Sequence, residues 1–202
     1  MGLDLKLFSI SSKADFVLKK AKSNLHYAID FDKILNPETL ELHLKMIQKN
    51  PDGTPETVIQ ELIQDSFTIL NYYPEKDITN YIFSSKTRGY DTINFLLKQY
   101  LEDKKRIKVS EIFYSGINIE NESQWNRFQY IDKDKTKEIN KLLESIQFAD
   151  LLKYYDYQKM EHSVYKPTRP DQLFYLKEEF NDLKKFYNES SKLDAFVIVK
   201  IS

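Results

Sequence analysis

The sequence predicts an α+β fold: a single domain spanning residues 1–202, with several helices packed on a small, mostly antiparallel sheet that includes the N- and C-terminal strands. Three observations point there. The chain opens on LDLKLFSI (residues 3–10), with Leu3, Leu5 and Leu7 on one face, and it closes on AFVIVKIS, a β-branched run. Between them apolar residues recur at helical spacing, most regularly at Leu173, Leu176, Phe180, Leu183 and Tyr187. No internal repeat, low-complexity tract or flexible linker divides the chain, and 202 residues suffice for one sizeable core.

After the first strand, Ser12 stands three residues before Asp15, a capping-box-like start for a helix through about Lys22. Asn36-Pro37-Glu38 and Thr54-Pro55-Glu56 each combine an N-cap side chain, a proline at the first helical position and an acid in the first turn. They announce a helix carrying Leu40, Leu44 and Ile47 and another carrying Val58, Ile59, Leu62, Ile63, Ile69 and Leu70. Asn50-Pro51-Asp52-Gly53 between them is a turn, because proline presets φ and glycine tolerates positive φ.

Between Pro74 and Tyr90 the pattern is indistinct; then Ile93, Leu96, Leu97, Tyr100 and Leu101 form a helical stripe. Residues 106–114 read as a strand, 115–124 as an exposed loop, and 127–131 (RFQYI) as a short strand. Ile139, Leu142, Leu143 and Ile146 mark one further helix, and Leu151, Leu152 and Tyr155 another. Residues 164–171 form a proline-punctuated loop before the long helix that begins near Leu173.

Composition excludes several function classes. The content is 41% hydrophobic and 14% aromatic, too rich for a disordered tail, yet 30% charged, which gives a well-solvated surface. No run of eighteen apolar residues exists to span a bilayer, and the N-terminus carries neither a secretory signal nor the Ser or Thr at position 6 that myristoylation prefers. With no cysteine there are no disulfides, thiolate metal sites or cysteine nucleophiles, and the expected compartment is the cytoplasm. Thirty basic residues oppose thirty-one acidic ones, and only Arg88, Arg106, Arg127 and Arg169 are arginines, so a nucleic-acid partner is not expected.

The densest polar and aromatic cluster is YYDYQKMEHSVYKPTRP, residues 154–170. Asp156, Glu161 and His162 are residue types for metal binding or acid–base work. On a helix over 150–162, however, Asp156 would lie about 120° from His162 and about 140° from Glu161, so neither pair converges. His26 and His43 have no ligand-like spacing, the four glycines are dispersed, and no nucleophile elbow is present. No metal, cofactor or catalytic residue is assigned.

Tyr155 and His162, seven residues apart, would share a helix face. In the plain structural reading Tyr155 continues the apolar stripe and His162 flanks the helix end, where the dipole favours it. In the sharper reading Tyr155, His162, Tyr165 and Arg169 wall a pocket or an interface patch, since interfaces enrich Tyr and Arg. Trp125, between Gln124 and Asn126, is expected to be partly buried beside the next strand.

The ending YLKEEFNDLKKFYNESSKLDAFVIVKIS resembles that of the YfbM-like family, with Phe180, Leu183, Phe186 and Tyr187 in its aromatic-Leu helix before a final apolar strand. Met160, Val164 and Tyr165 before a proline, GYDTINFLL (89–97) and MGLDLKLFSIS are similar to further elements of that family. Lys166 separates Tyr165 from Pro167, the tryptophan usual after that proline is absent, and no element of that family is recognised between about residues 22 and 88. The resemblance implies a compact bacterial α+β domain without an established activity, associated with immunity-like roles against toxins.

The expected function is non-catalytic binding of another protein, through loop 163–170 and the adjacent helix end. The alternatives are an enzyme whose site is assembled from separate segments around His162, and a small-ligand sensor with an apolar cavity.

Overall fold

The computed structural model describes residues 5–24, 26–27, 39, 41–42, 44–46, 55–71, 80–82, 89–103, 110–113, 117–118 and 127–201. The strands are β1 (Leu5–Ser11), β2 (Asn80–Ile82), β3 (Ile117–Asn118), β4 (Arg127–Ile131) and β5 (Ala195–Ile201). They form one antiparallel sheet in the order β2-β1-β5-β4-β3. The helices are α1 (Phe16–Ser23), α2 (Glu56–Leu70), α3 (Gly89–Asp103), α4 (Ser110–Phe113), α5 (Lys133–Glu144), α6 (Phe148–Leu151), α7 (Tyr157–Glu161) and α8 (Leu173–Lys192). The fold is α+β, and its two terminal strands are direct neighbours at the centre of the sheet.

Their register runs without a break from Leu5 opposite Ile201 to Ser11 opposite Ala195. Helices cover both faces of this central pair, which is why AFVIVKI reads as a nearly continuous apolar run rather than a clean alternation. Leu5, Leu7, Ile131, Val197 and Val199 face one layer, built from α3, α4, α5, α6 and α8. Phe8, Ile10, Phe196 and Ile198 face the other, built from α1, Tyr27 and α2. Among the described residues the outer strands β2 and β3 comprise three and two residues.

Within the larger layer α8 buries the expected stripe at Leu176, Phe180, Leu183 and Tyr187, together with Phe186. The fully buried Tyr187 hydroxyl donates to the Ile112 carbonyl at 2.7 Å, joining α8 to α4. Burial pushes its phenol pKa upward. At Gly89, where α3 begins, an added Cβ would stand 1.7 Å from Glu179 Oε2, so that the Glu179 side chain would have to shift. The largely buried Glu179 carboxyl thus lies against the N-terminal end of α3, where the helix dipole favours an anion.

The smaller layer is tied by a polar link. Asp65 on α2 accepts from the buried Tyr27 hydroxyl at 2.8 Å and from Lys20 of α1 at 2.7 Å, and Lys20 also reaches Glu61 at 2.7 Å. Burial disfavours the Lys20 ammonium, but the two carboxylates outweigh it and hold its pKa above the ordinary lysine value.

Several sequence expectations are corrected. The first helix begins at Phe16, not Ser12, because the chain makes a 3-10 turn over Ser12–Ala14 and the Ser12 hydroxyl donates instead to Asp194 at 3.0 Å. Residues 110–113 of the expected strand 106–114 are helical, and residues 117–118 of the expected loop form β3. The expected helix across 150–162 is interrupted. It passes from α6 into a 3-10 turn over Leu152–Tyr154, becomes extended at Tyr155 and Asp156, and restarts as α7. The turn at 50–53 and Trp125 lie outside the described residues, as do Leu40 and Ile47 of the helix expected after Pro37; residues 39, 41–42 and 44–46 of that segment are helical.

Asp194 closes the turn from α8 into β5 at φ 49°, a left-handed conformation that Asp and Asn tolerate better than most residues. Its carboxylate accepts from Ser12, Lys133 and Lys137. Those donors lower its pKa to about 2, against about 3.9 in an unfolded chain. A lowered folded value means that the contribution is complete above about pH 5 and fades as pH falls from about 4 to about 2. Because the side chain is 41% exposed, solvent screening leaves it on the order of 1 kcal/mol. Asp194→Asn, which keeps the turn residue but removes the charge, should lower the melting temperature at pH 7 and leave it nearly unchanged at pH 2.

Candidate functional site

The cluster at 154–170 takes its shape from local capping. Asp156 caps α7, its side chain accepting from the Lys159 amide at 3.2 Å, and this cap ends the preceding helical run. Hydrogen bonding to that amide and to the Lys159 ammonium lowers the Asp156 pKa. After α7 the chain folds back tightly: the Ser163 and Val164 amides donate to the Met160 carbonyl at 3.0 and 2.8 Å, and the Ser163 hydroxyl reaches the Lys159 carbonyl at 2.8 Å.

Loop 163–170 is then fastened from two sides. The Thr168 amide donates to Thr92 Oγ1 at 2.9 Å in a buried contact with α3. Its carbonyl accepts from the Tyr155 hydroxyl at 2.8 Å. Val164 and Thr168 are buried, whereas Tyr165, Lys166 and Arg169 between and beside them are exposed. Two inward anchors therefore hold the outward side chains on a defined backbone. Arg169 also caps the 3-10 turn Pro170–Gln172, which leads into α8, where Phe174 and Tyr175 stand in edge-to-face contact at 5.8 Å. Tyr165, Phe174 and Tyr175 are 58%, 66% and 55% exposed, an unusual run of large rings in water within eleven residues.

The four sequence candidates occupy different roles. Tyr155 is half-buried and anchors the loop; burial, then its neighbours Tyr157 and Asp171, raise its phenol pKa. His162 is exposed and forms the C-cap of α7 through its backbone amide, the helix-end position expected of it. The broken helix means that Tyr155 and His162 do not share a helical face. Tyr165 and Arg169 lie on the exposed side of the loop, and Lys166 stands 5.7 Å from the Tyr165 ring centroid. No group of three or more His, Cys, Asp or Glu among the described residues could hold a metal ion.

The other face of Tyr155 lines a groove of about 480 Å³ with Phe95 and Gln99 of α3 and Tyr154 and Tyr157. Tyr154 is seated on Tyr100 of α3 at 6.2 Å, edge to face. Two lysines at the rim are already paired, Lys153 with Asp150 at 2.7 Å and Lys159 with Asp156 at 3.3 Å. Phe95, Gln99 and Thr92 were not visible as site residues in the sequence. The one available signal was Thr92, a polar residue beside Ile93 in an otherwise apolar stripe.

No helix among the described residues is long and apolar enough to cross a membrane. No curated protein and no solved structure matches the chain. A family model described as a domain of unknown function (DUF1877) matches residues 41–200, a span that takes in α2 through β5 but not β1, which lies between β2 and β5 in the sheet. That match covers most of the sequence, and the chain belongs to the DUF1877 family, the YfbM-like family that its last helix and strand resemble.

Proposed function

We propose that this is a non-catalytic binding protein of the cytoplasm whose partner is another protein, contacted by loop 163–170 and the first turn of α8. A single observation carries the reading: Tyr165, Phe174 and Tyr175 are each more than half exposed, on a backbone fixed by the buried Thr168. Large rings in water are unfavourable unless a partner covers them, and fixing the loop in advance reduces the entropy lost on binding. Arg169 adds a directional donor set, and no side-chain partner occupies it among the described residues. The absence of cysteine suits a reducing compartment, and the sparse arginine suits a protein rather than a nucleic-acid partner.

The test is the double variant Tyr165→Ala/Arg169→Ala in a capture experiment with the full chain as bait. Because both side chains are exposed, each substitution should change the unfolding free energy by no more than about 0.5 kcal/mol. Partner capture should fall about tenfold or more, as expected for two anchors at an interface centre. A variant that unfolds early identifies the cluster as structural; undiminished capture defeats the reading.

A further inference from the structure

The two parts of the proposed contact face, loop 163–170 and the first turn of α8, both hang on the first turn of α3. The loop is tied there by the Thr168 amide, which donates to Thr92 Oγ1 at 2.9 Å between two fully buried residues. α8 is tied there by its second turn. Glu179, buried on α8, turns its carboxyl into the space beside Gly89 that a side chain on that residue would fill, and Leu176 lies against the same spot. A glutamate seldom leaves water without something that favours its charge. The start of a helix supplies it, through amides that have no partner within the helix and through the positive end of the dipole. Asp91 places an acid in the same turn from α3 itself. Glu179 reaches that turn from another helix, and so joins two elements.

We infer that Glu179 is a positioning residue for the contact face: its carboxylate holds the first turn of α3 closed, and that turn presents Thr92 to the Thr168 amide. What the face does rests on the protein-binding reading above; the tie from Glu179 to Thr168 does not. Gly89 and Thr92 are three residues apart, within one helical turn, so a change at the first is carried to the second. Withdrawing the anion should fray this turn, shift Thr92 and free the Thr168 amide. The Thr168 carbonyl would still accept from the Tyr155 hydroxyl, so the loop would loosen on one side without unfolding. Tyr165, Arg169, Phe174 and Tyr175 would keep their chemistry but lose their fixed spacing, and ordering them on contact would cost affinity.

The experiment is native-state hydrogen exchange on the isotope-labelled full chain carrying Glu179→Gln, which keeps the shape and removes the charge. Exchange at the Thr168 amide should rise about tenfold or more. The Val199 amide, on the central strand, gauges any global loss of stability and should rise less. If Glu179 acts through Thr92, adding Glu179→Gln to Thr92→Val should accelerate Thr168 no further. Should Glu179→Gln fail to fold, Glu179→Asp, which keeps the charge on a shorter arm, is read in the same way. Equal acceleration at Thr168 and Val199, an unchanged Thr168, or a full further acceleration in the double variant overturns the inference. If Thr168 stays protected while capture still depends on Tyr165 and Arg169, the role of Glu179 alone is lost. If Thr168 is freed and capture is undiminished, the contact-face reading is lost and the tie between Glu179 and Thr168 stands.

Discussion

Removing residues 196–202 is expected to abolish cooperative unfolding. Among the described residues β5 is the only strand bonded on both sides along most of its length, to β1 from Ala195 to Ile201 and to β4 from Val197 to Ile201. It also supplies both cores, Val197 and Val199 to one and Phe196 and Ile198 to the other, all at most 4% exposed. Burial of four such side chains is worth on the order of 10 kcal/mol. A domain of this kind has a total stability of about 5–15 kcal/mol. The deletion also leaves the inner edges of β1 and β4 without partners, exposing backbone groups that no side chain replaces. A thermal or urea transition as sharp as that of the full chain would show that the central pairing is misassigned.

Asp65→Ala should be strongly destabilising to the smaller layer, costing about 2–4 kcal/mol. It removes the acceptor of the buried Tyr27 hydroxyl and one of the two carboxylates that hold Lys20. Lys20 keeps Glu61 and is 32% exposed, which places the loss below that of a fully buried broken pair. Tyr27→Phe alone should cost about 1 kcal/mol, since it removes the donor and leaves Asp65 its lysine. In the double variant the two costs should fall short of additive, because the hydroxyl no longer needs the missing acceptor. Additive losses in urea melts would mean that the two groups do not interact.

How much of this was legible depends on element length and on distance along the chain. β1 and β5 were readable because seven-residue strands with apolar side chains repeat the pattern several times. β2 and β3 were not, because three or two residues cannot display a period of two. Ile107, Val109 and Ile112 imitate alternation, yet Ser110–Phe113 turns into a helix that buries Ile112 and Phe113 together. Leu151, Leu152 and Tyr155 suggested one helix, and the break after Tyr154 was signalled only by Asp156, whose capping role with Lys159 is a local hydrogen bond rather than a hydrophobic pattern.

The candidate stretch was visible in its residue types but not in its support. Four tyrosines and Arg169 singled out 154–170, whereas the bond that fixes its loop joins Thr168 to Thr92, seventy-six positions away. A threonine in a helical stripe carries no sign of its distant partner. The groove was hidden for the same reason, since Phe95 and Gln99 meet Tyr154 and Tyr157 only after α3 packs beneath the 152–159 segment.

The proposed binding face requires loop 163–170 to be a fixed platform before any partner arrives. Native-state hydrogen exchange at the Thr168 amide measures this directly, because that proton is held by a buried hydroxyl oxygen. Thr168 should exchange about a hundredfold or more slowly than an unstructured amide, and Thr92→Val, which keeps the shape but removes the acceptor, should release it. Exchange at Thr168 as fast as at exposed Tyr165 and Lys166 in the unaltered protein would show a loose loop, and the account of a prebuilt contact surface would fail.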